Sequence, residues 1–366
     1  MRRSGWMVLL LAAFLPLSGC KETFDFLPYA REIEDMALMR TLGVDLTAEG
    51  VRVTASTGIQ DQGAKPPTIL EEEARSISAA CLSMQAQGAA YVFYGHVGQL
   101  LLGEDLARQG IRPALDYVMR DIEMRLETKL YVLQGGEAGA AIQAAAQEDS
   151  AAEQLEALEA DAGLLSDFMN RTVEEVLEDL EENGDSFVPA LTLGENGRLE
   201  PAGYALIQDG ALVGWAQGEA AMGINLLQGW VDADVLEVDV PTGGRAALRL
   251  VGAKTRVEPV FEGDSLTGLR LRCRVNANLA EYDGAADEAV LTALERALEE
   301  RCRARLTAVA ELCRTLEGDF VQFAPRAGRS APWRWSAIQE QWNPAGWNLD
   351  VVVEAELWRG YNMREH

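Results

Sequence analysis

One cysteine, Cys20, stands directly after Leu17-Ser18-Gly19 and has the surroundings of a thiol prepared for alkylation. Small residues before it leave the backbone open to a peptidase, and the thiol supplies the nucleophile that a lipid donor would alkylate. Little else in the chain has the residue types for covalent or metal chemistry. There are two histidines, His96 and His366, so a His-based triad would have to use one of them. No nucleophile motif accompanies either, and His96 reads as a structural histidine that follows a Gly turn and enters a strand. CxxC, HExxH and GxxxxGK[ST] are all missing from the sequence, so zinc and phosphate-loop chemistry lack their usual ligands. The pairs Glu174-Glu175 and Glu181-Glu182 sit on helix-like sequence, without the alternating loop oxygens that calcium takes, and read as a solvated face. No catalytic residue, metal or cofactor is therefore expected, and no ligand-binding residue is assigned.

The flanks of Cys20 decide where the chain goes. Met1-Arg2-Arg3 is basic, residues 6–17 are apolar, and that apolar run is too short to cross a bilayer comfortably. With Leu17-Ser18-Gly19-Cys20 at its end, the segment resembles the lipobox of bacterial lipoproteins. Residues 1–19 are expected to be a lipoprotein signal peptide and residues 20–30 a lipidated tether, with the mature chain beginning at Cys20. No second apolar stretch of about 18 residues follows. Attachment to a membrane should therefore come from the N-terminal lipid, for which two acyl chains suffice where one is marginal.

Charge narrows the partners further. The 366 residues carry 58 acids and 32 bases, a formal net charge of −26. Residues 1–19 hold two arginines and no acid, so the remainder stands two units lower, at −28. A chain so acidic lacks the basic footprint that nucleic acid requires, and anionic lipid repels it. Apolar residues at 48% and charged residues at 25% are ordinary for a folded protein long enough for two or three domains. Four cysteines besides Cys20 remain, at 81, 273, 302 and 313. Cys302 and Cys313 fall on one helical stripe, about 16 Å apart along the axis, too far to bridge each other. Buried free thiols are the better reading for these two.

Periodicity then supplies the elements that hold this chemistry. Strands are expected near residues 36–46, 51–55, 97–102, 125–132, 189–193, 204–215, 236–240, 246–260, 265–279 and 349–357. Helices are expected over 70–87, 104–109, 112–120, 219–228 and 287–316, with further helices in the Ala- and Glu-rich span 137–183. The stretch 147–161 holds few large apolar residues and is either a solvated helix or a flexible excursion. In the long C-terminal helix, Leu291, Leu294, Leu298, Cys302, Val309, Cys313 and Leu316 form one apolar stripe. In the C-terminal third, several strands, one helix and a final strand suggest an antiparallel sheet with a helix on one face, an α+β layer.

Several segments, in order, resemble the Ger(x)C lipoproteins, the C subunits of bacterial spore germinant receptors. Arg31-Glu32-Ile33, Ala37 and Leu42-Gly43-Val44-Asp45 are similar to the family's REI…A…LGID opening. Gly95-His96-Val97 and the run from Leu101 through Gly103-Glu104 and Leu106-Ala107-Arg108 to Gly110-Ile111 are similar to its GH…L.IGE.LAR.GI. Leu115-Asp116 and Arg120-Asp121-Ile122-Glu123-Met124-Arg125 continue the match. Leu212-Val213-Gly214-Trp215 with Gly223-Ile224-Asn225 gives a third, and Gly318-Asp319-Phe320 with Trp342 a weaker fourth. The sequence departs from the family in three places. Ten residues separate Cys20 from Arg31, Ala220-Ala221-Met222 stands where the family often has Glu-Thr-Arg, and the acidic stretch 147–161 is unusual. The resemblance implies an α+β, multi-domain body with mixed or antiparallel β-sheets each flanked by α-helices: an N-terminal region over residues 31–219, divisible near 185–200, and a C-terminal domain over residues 220–366. It implies residence on the outer face of the spore inner membrane. It also implies a non-enzymatic role in germination beside an A subunit and a permease-like B subunit.

Two features have competing readings. Five of the eight tryptophans, at 333, 335, 342, 347 and 358, either fill the gap between sheet, helix and loop or form a partner or membrane-interface patch. The run at 120–125 is either a charged contact surface or a solvated strand start. Two rival functions also stand: a solute-binding lipoprotein that captures a small nutrient itself, and an anchored hydrolase. The first would show two similar βα-alternating halves and the second a catalytic constellation, and the sequence displays neither.

The anchor is directly testable. Cys20→Ala should abolish incorporation of radiolabelled palmitate and release the chain from lipid attachment; a variant that stays labelled would overturn the lipobox reading.

Overall fold

The computed structural model describes residues 35–59, 66–87, 90–147, 149–161, 168–231, 234–240, 243–284 and 286–358. Two apolar runs joined by a short turn make the first hairpin, β1 (Met36–Thr47) and β2 (Gly50–Thr57). The next segment corrects the sequence expectation of one helix over 70–87. Ile69–Ala74 is instead an edge strand, β3, paired antiparallel to β2. The Ser76 hydroxyl accepts the Ala79 N–H at 3.3 Å, and helix α1 (Ile77–Met84) starts only there. Leu, Glu and Ala favour a helix intrinsically, but β2 offers a partner. Glu71, Glu72 and Glu73 on the free edge then discourage pairing with another chain.

The chain continues through β4 (Tyr91–Phe93), β5 (Gln99–Leu102), α2 (Glu104–Gln109), α3 (Arg112–Arg120) and β6 (Lys129–Leu133). Then come α4 (Ala138–Ala145), α5 (Ala151–Asp161), α6 (Val173–Glu182), β7 (Asp185–Leu193), β8 (Leu199–Gln208) and β9 (Ala211–Ala216). These strands form one nine-stranded sheet in the order β3-β2-β1-β5-β6-β7-β8-β9, with β4 against β1. β1, β5, β6 and β7 run parallel, and the flanking strands are antiparallel. Parallel strands need helical crossovers and end up covered on both faces. Accordingly Leu100 and Leu102 face α2, α3 and α6, while Leu101, Tyr131 and Leu133 face α4 and α5. The strand expected over 125–132 begins later, at Lys129, because the Thr128 N–H closes a turn on the Arg125 carbonyl. The acidic stretch resolves as helix α5, whose Ala151, Ala152 and Leu155 are buried. The hairpin turn expected at Asp209-Gly210 is present, with both residues at positive φ between β8 and β9.

The second sheet is built from β10 (Val235–Asp239), β11 (Arg245–Glu262), β12 (Ser265–Tyr282) and β13 (Asn348–Trp358), in that order. Helix α7 (Glu219–Gln228) precedes it. Helices α8 (Glu288–Thr315), α9 (Phe323–Ser330) and α10 (Trp335–Gln341) lie between β12 and β13. The sheet is mixed, which corrects the antiparallel expectation: β13 pairs parallel to β12 from Gly268↔Asn348 to Asn278↔Trp358. The 28-residue α8 spans roughly 42 Å and carries the chain back along the sheet, so the next strand enters in the same sense as β12.

Val290, Leu294, Leu298, Cys302, Leu306, Val309 and Cys313 of α8 are buried, while Leu291 and Leu316 lie half-buried at the margin of the stripe. Cys81, Cys273, Cys302 and Cys313 are all free and buried, and loss of water pushes the Cys302 thiol up to about 12. Leu298, fully buried midway along α8, should cost roughly 2–5 kcal/mol when cut to alanine. Chemical denaturation of Leu298→Ala measures this directly, and an unchanged midpoint would contradict the packing.

Candidate functional site

Leu17, Ser18, Gly19, Cys20 and His366 lie outside the described residues. His96 is exposed in the turn after Gly95, edge-on to Phe93 with ring centres 5.8 Å apart. Glu174, Glu175, Glu181 and Glu182 are exposed on α6, where Glu175 closes a capping box with Thr172. Among the described residues no cluster of three or more His, Cys, Asp or Glu is arranged to hold a metal ion.

The motif residues meet at two places instead. The first is the carboxyl end of the parallel strands, where open α/β sheets usually carry ligands. Asp45, 2% exposed at the end of β1, accepts the Ala138 N–H at 2.7 Å and the Gly139 N–H at 2.8 Å. It thereby caps the start of α4, where the helix leaves N–H groups unpaired. Burial pushes the Asp45 carboxyl up, against the two donors that favour its charge. A side chain at Gly103 would strike Asp45 Oδ1, with 2.1 Å between the added carbon and that oxygen, so glycine is required for the approach. Glu104 takes the Gly135 N–H at 2.7 Å and pairs with Arg108, and Glu137 pairs with Arg52. A cavity of about 310 Å³ remains, lined by Asp45, Gly103, Glu104, Gly135 and Glu137. Asp45, Glu104 and Glu137 are engaged and tie β1, β5 and α4 together at this corner, while Asp105, which also lines the cavity, is exposed.

The second meeting point joins the two sheets. Asp319, in the turn between α8 and α9, donates its N–H to Asp185 Oδ2 at the start of β7, 2.6 Å away. Its own carboxylate accepts the Phe323 and Ala324 N–H groups at 2.6 and 2.9 Å, capping α9. Asn183 donates to the Asp319 carbonyl, and Gln322 donates to the Asp185 carbonyl and to Asn183 Oδ1. Gln322 sits at φ +63°, a left-handed conformation that its side-chain bonds help to hold. Loss of water, only partly offset by the two N–H donors and reinforced by Asp185, pushes the Asp319 carboxyl up to about 7.

A third contact fixes α7 against α8. A Cβ on Gly223 would lie 2.2 Å from the Arg305 carbonyl oxygen, so the helices touch backbone to backbone. Buried Arg305 is ion-paired with Asp234, with Glu219 3.4 Å away.

In the run at 120–125, Arg120 ends α3 and residues 121–125 form a loop, not the start of a strand. Glu123 accepts the Tyr94 N–H and the Tyr91 hydroxyl, Met124 is buried, and Ile122 stands 87% exposed. The tryptophans divide between their two readings. Trp347 is buried against Phe323 and Trp342, and Trp335 packs at the core margin, while Trp333 and Trp358 are 81% and 47% exposed.

Sequence reasoning missed a basic groove of about 680 Å³ beside β11, lined by Arg256, Arg326, Arg329, Arg334, Phe261 and Trp333. The arginines at 326, 329 and 334, closely spaced in so acidic a chain, were the signal that could have revealed it.

This two-sheet architecture has a counterpart among solved structures. The crystal structure titled "Crystal Structure of the GerBC protein" superposes with a TM-score of 0.57 at 15% identity, covering 86% of this chain and 96% of that one. The likeness defines an α+β fold with two helix-flanked mixed sheets. Residues 29–193 match the spore germination protein N-terminal domain, and residues 202–359 match the spore germination B3/GerAC-like C-terminal domain. Spore germination protein KC of Bacillus subtilis (strain 168) is 20% identical over 391 residues, covering 96% of this chain and 94% of the relative. The chain belongs to the Ger(x)C, or GerAC-like, family of spore germination proteins.

The Asp319 junction makes a pH prediction. A carboxyl raised above its unfolded value stabilises the fold fully below about pH 4 and loses that contribution as pH rises through about 7. Asp319→Asn removes the titration, so the stability gap between wild type and variant should shrink over that range, by at most about 4 kcal/mol. Denaturant titrations at pH 4.5 and 7.5 measure the gap, and a gap that widens with pH would contradict the assignment.

Proposed function

We propose that this chain is a non-enzymatic, lipid-anchored subunit of a nutrient germinant receptor, required for spore germination through assembly with a membrane A subunit and a permease-like B subunit. The observation that carries the reading is the ordered match of both halves of the chain to spore germination domains. The lipobox Leu17-Ser18-Gly19 with Cys20 as the lipidated residue supports an anchor at the outer face of the spore inner membrane. No helix among the described residues is long and apolar enough to cross a membrane. The buried carboxylates favour a scaffold role: Asp45, Asp185 and Asp319 each accept backbone N–H groups that join one element to another. The domains proposed are residues 31–219 and 220–366, behind a tether over 20–30.

Ten residues, 21–30, extend at most about 35 Å, so the folded body stays near the bilayer and near embedded partners. That proximity raises the effective concentration of those partners, and modest interfaces then suffice. The subunit biases a partner only by binding one of its states better than another.

Deletion of the gene should remove the spores' response to that receptor's germinant, leave other germination routes intact, and be rescued by the wild-type copy. The protein should also co-purify from detergent with A and B subunits. Deleted spores that respond normally, with no paralogue substituting, would sink the proposal.

A further inference from the structure

The groove beside β11 is the place where the charge of this protein reverses. The chain carries a net charge of −26, yet four arginines, Arg256, Arg326, Arg329 and Arg334, are among the residues lining one depression, and Arg256 also borders a second one with Glu354. Glu258 is the one acid among the lining residues of the first, and it is paired with Arg272 at 2.9 Å. Arg256 is exposed and makes no ion pair among the described residues. Arg329 is exposed, with Glu182 at 3.8 Å as its nearest acid partner. Arg326 bonds neutral groups, the Val321 and Leu227 carbonyls and the Gln228 side chain. Arg334 pairs with Asp264 and lies over the Phe261 ring, 4.9 Å from its centre. Above them Trp333 is 81% exposed, an indole held out in water with nothing yet to cover it.

The floor of the groove is a strand edge. β10 pairs with β11 only over Arg245–Arg249, so the outer edge of residues 255–259 has no strand neighbour among the described residues. The Val257 carbonyl points outward, where it accepts the Ser330 hydroxyl at 2.6 Å, and by the alternation of a strand Thr255 and Pro259 share that edge. Proline is tolerated at such an edge because no ladder bond is required of its nitrogen. Residues 255–261 run about 20 Å, the length of an extended segment of six or seven residues.

We propose that this groove is the docking site for an extended acidic peptide segment of a partner protein. Its carboxylates would meet Arg256 and Arg329, the two exposed arginines of the groove left without a close acid partner, and one apolar or aromatic side chain would cover Trp333. With Pro259 and Ser330 already at the edge, side-chain pairing rather than a full added strand supplies the affinity. A flat anionic bilayer is the poorer fit. It cannot follow a concave surface down to Arg326, and it is repelled by the rest of an acidic body, whereas a slender segment meets mainly the local field of the groove. This assignment holds whether or not the chain acts within a receptor.

The test uses the full chain in detergent and a fluorescein-labelled decapeptide of alternating glutamate and valine, read by fluorescence anisotropy. Binding should appear at low ionic strength and fade by about 0.5 M salt, and an uncharged glutamine–valine decapeptide should not bind. The exposed pair Arg256→Glu and Arg329→Glu should weaken binding at least tenfold. Arg256→Gln with Arg329→Gln should weaken it less, and serves if the first pair fails to fold. Absence of binding to wild type at low salt, or equal affinity in both pairs, overturns the proposal. So does adhesion to phosphatidylglycerol vesicles that the same substitutions abolish while the peptide goes unbound.

Discussion

The structure depends most on one buried carboxylate. Asp319 accepts two N–H groups that start α9, while its own N–H is taken by Asp185 of β7. One residue therefore fixes where α9 begins and ties the α8–α9 turn to β7 of the first sheet. A carboxylate out of water is costly unless donors replace the water, and here backbone N–H groups do so only in part. That shortfall is why its proton is held so firmly. Around this polar centre the core is continuous: Phe187 and Tyr204 of the first sheet share one cluster with Leu271, Leu298 and Phe320 of the C-terminal half.

The same economy appears at the other end of the first sheet. Asp45 joins β1 to α4 through two N–H groups, and Gly103 and Gly139 keep the space around its oxygens clear. Gly223 does the equivalent for α7 and α8, and Gly214 admits Leu316 against β9. The residues that carry the family resemblance are thus mostly joints between elements. Their chemistry is capping and close approach, which gives rigidity. On the proposed reading, a receptor subunit that works by contact needs such a stiff body to present fixed surfaces to its partners.

Much of this was legible in the residues. Glycines and caps mark the ends of α2, α3 and α7, so Glu104–Gln109, Arg112–Arg120 and Glu219–Gln228 read true to the residue. The α8 stripe was visible because its spacing repeats for eight turns. Ile69–Ala74 misled because Leu, Glu and Ala carry helix preference while the sheet edge decided the outcome; Ser76, a helix cap, was the signal that should have moved the boundary. The parallel entry of β13 was illegible, since a strand's sequence does not name its neighbour. The role of Asp319 was hidden for the same reason: its partner comes from a distant segment, Asp185, 134 residues away, whereas the arginine groove left a local trace in the spacing of Arg326, Arg329 and Arg334.

The central claim is that this protein acts through partners rather than by seizing a nutrient or performing chemistry. Isothermal titration of the purified full chain with the amino acids and sugars that trigger germination tests it most directly. The account predicts no saturable heat for any of them. Clear micromolar binding of one nutrient to the isolated chain would contradict it, and would make the protein a solute-binding lipoprotein instead.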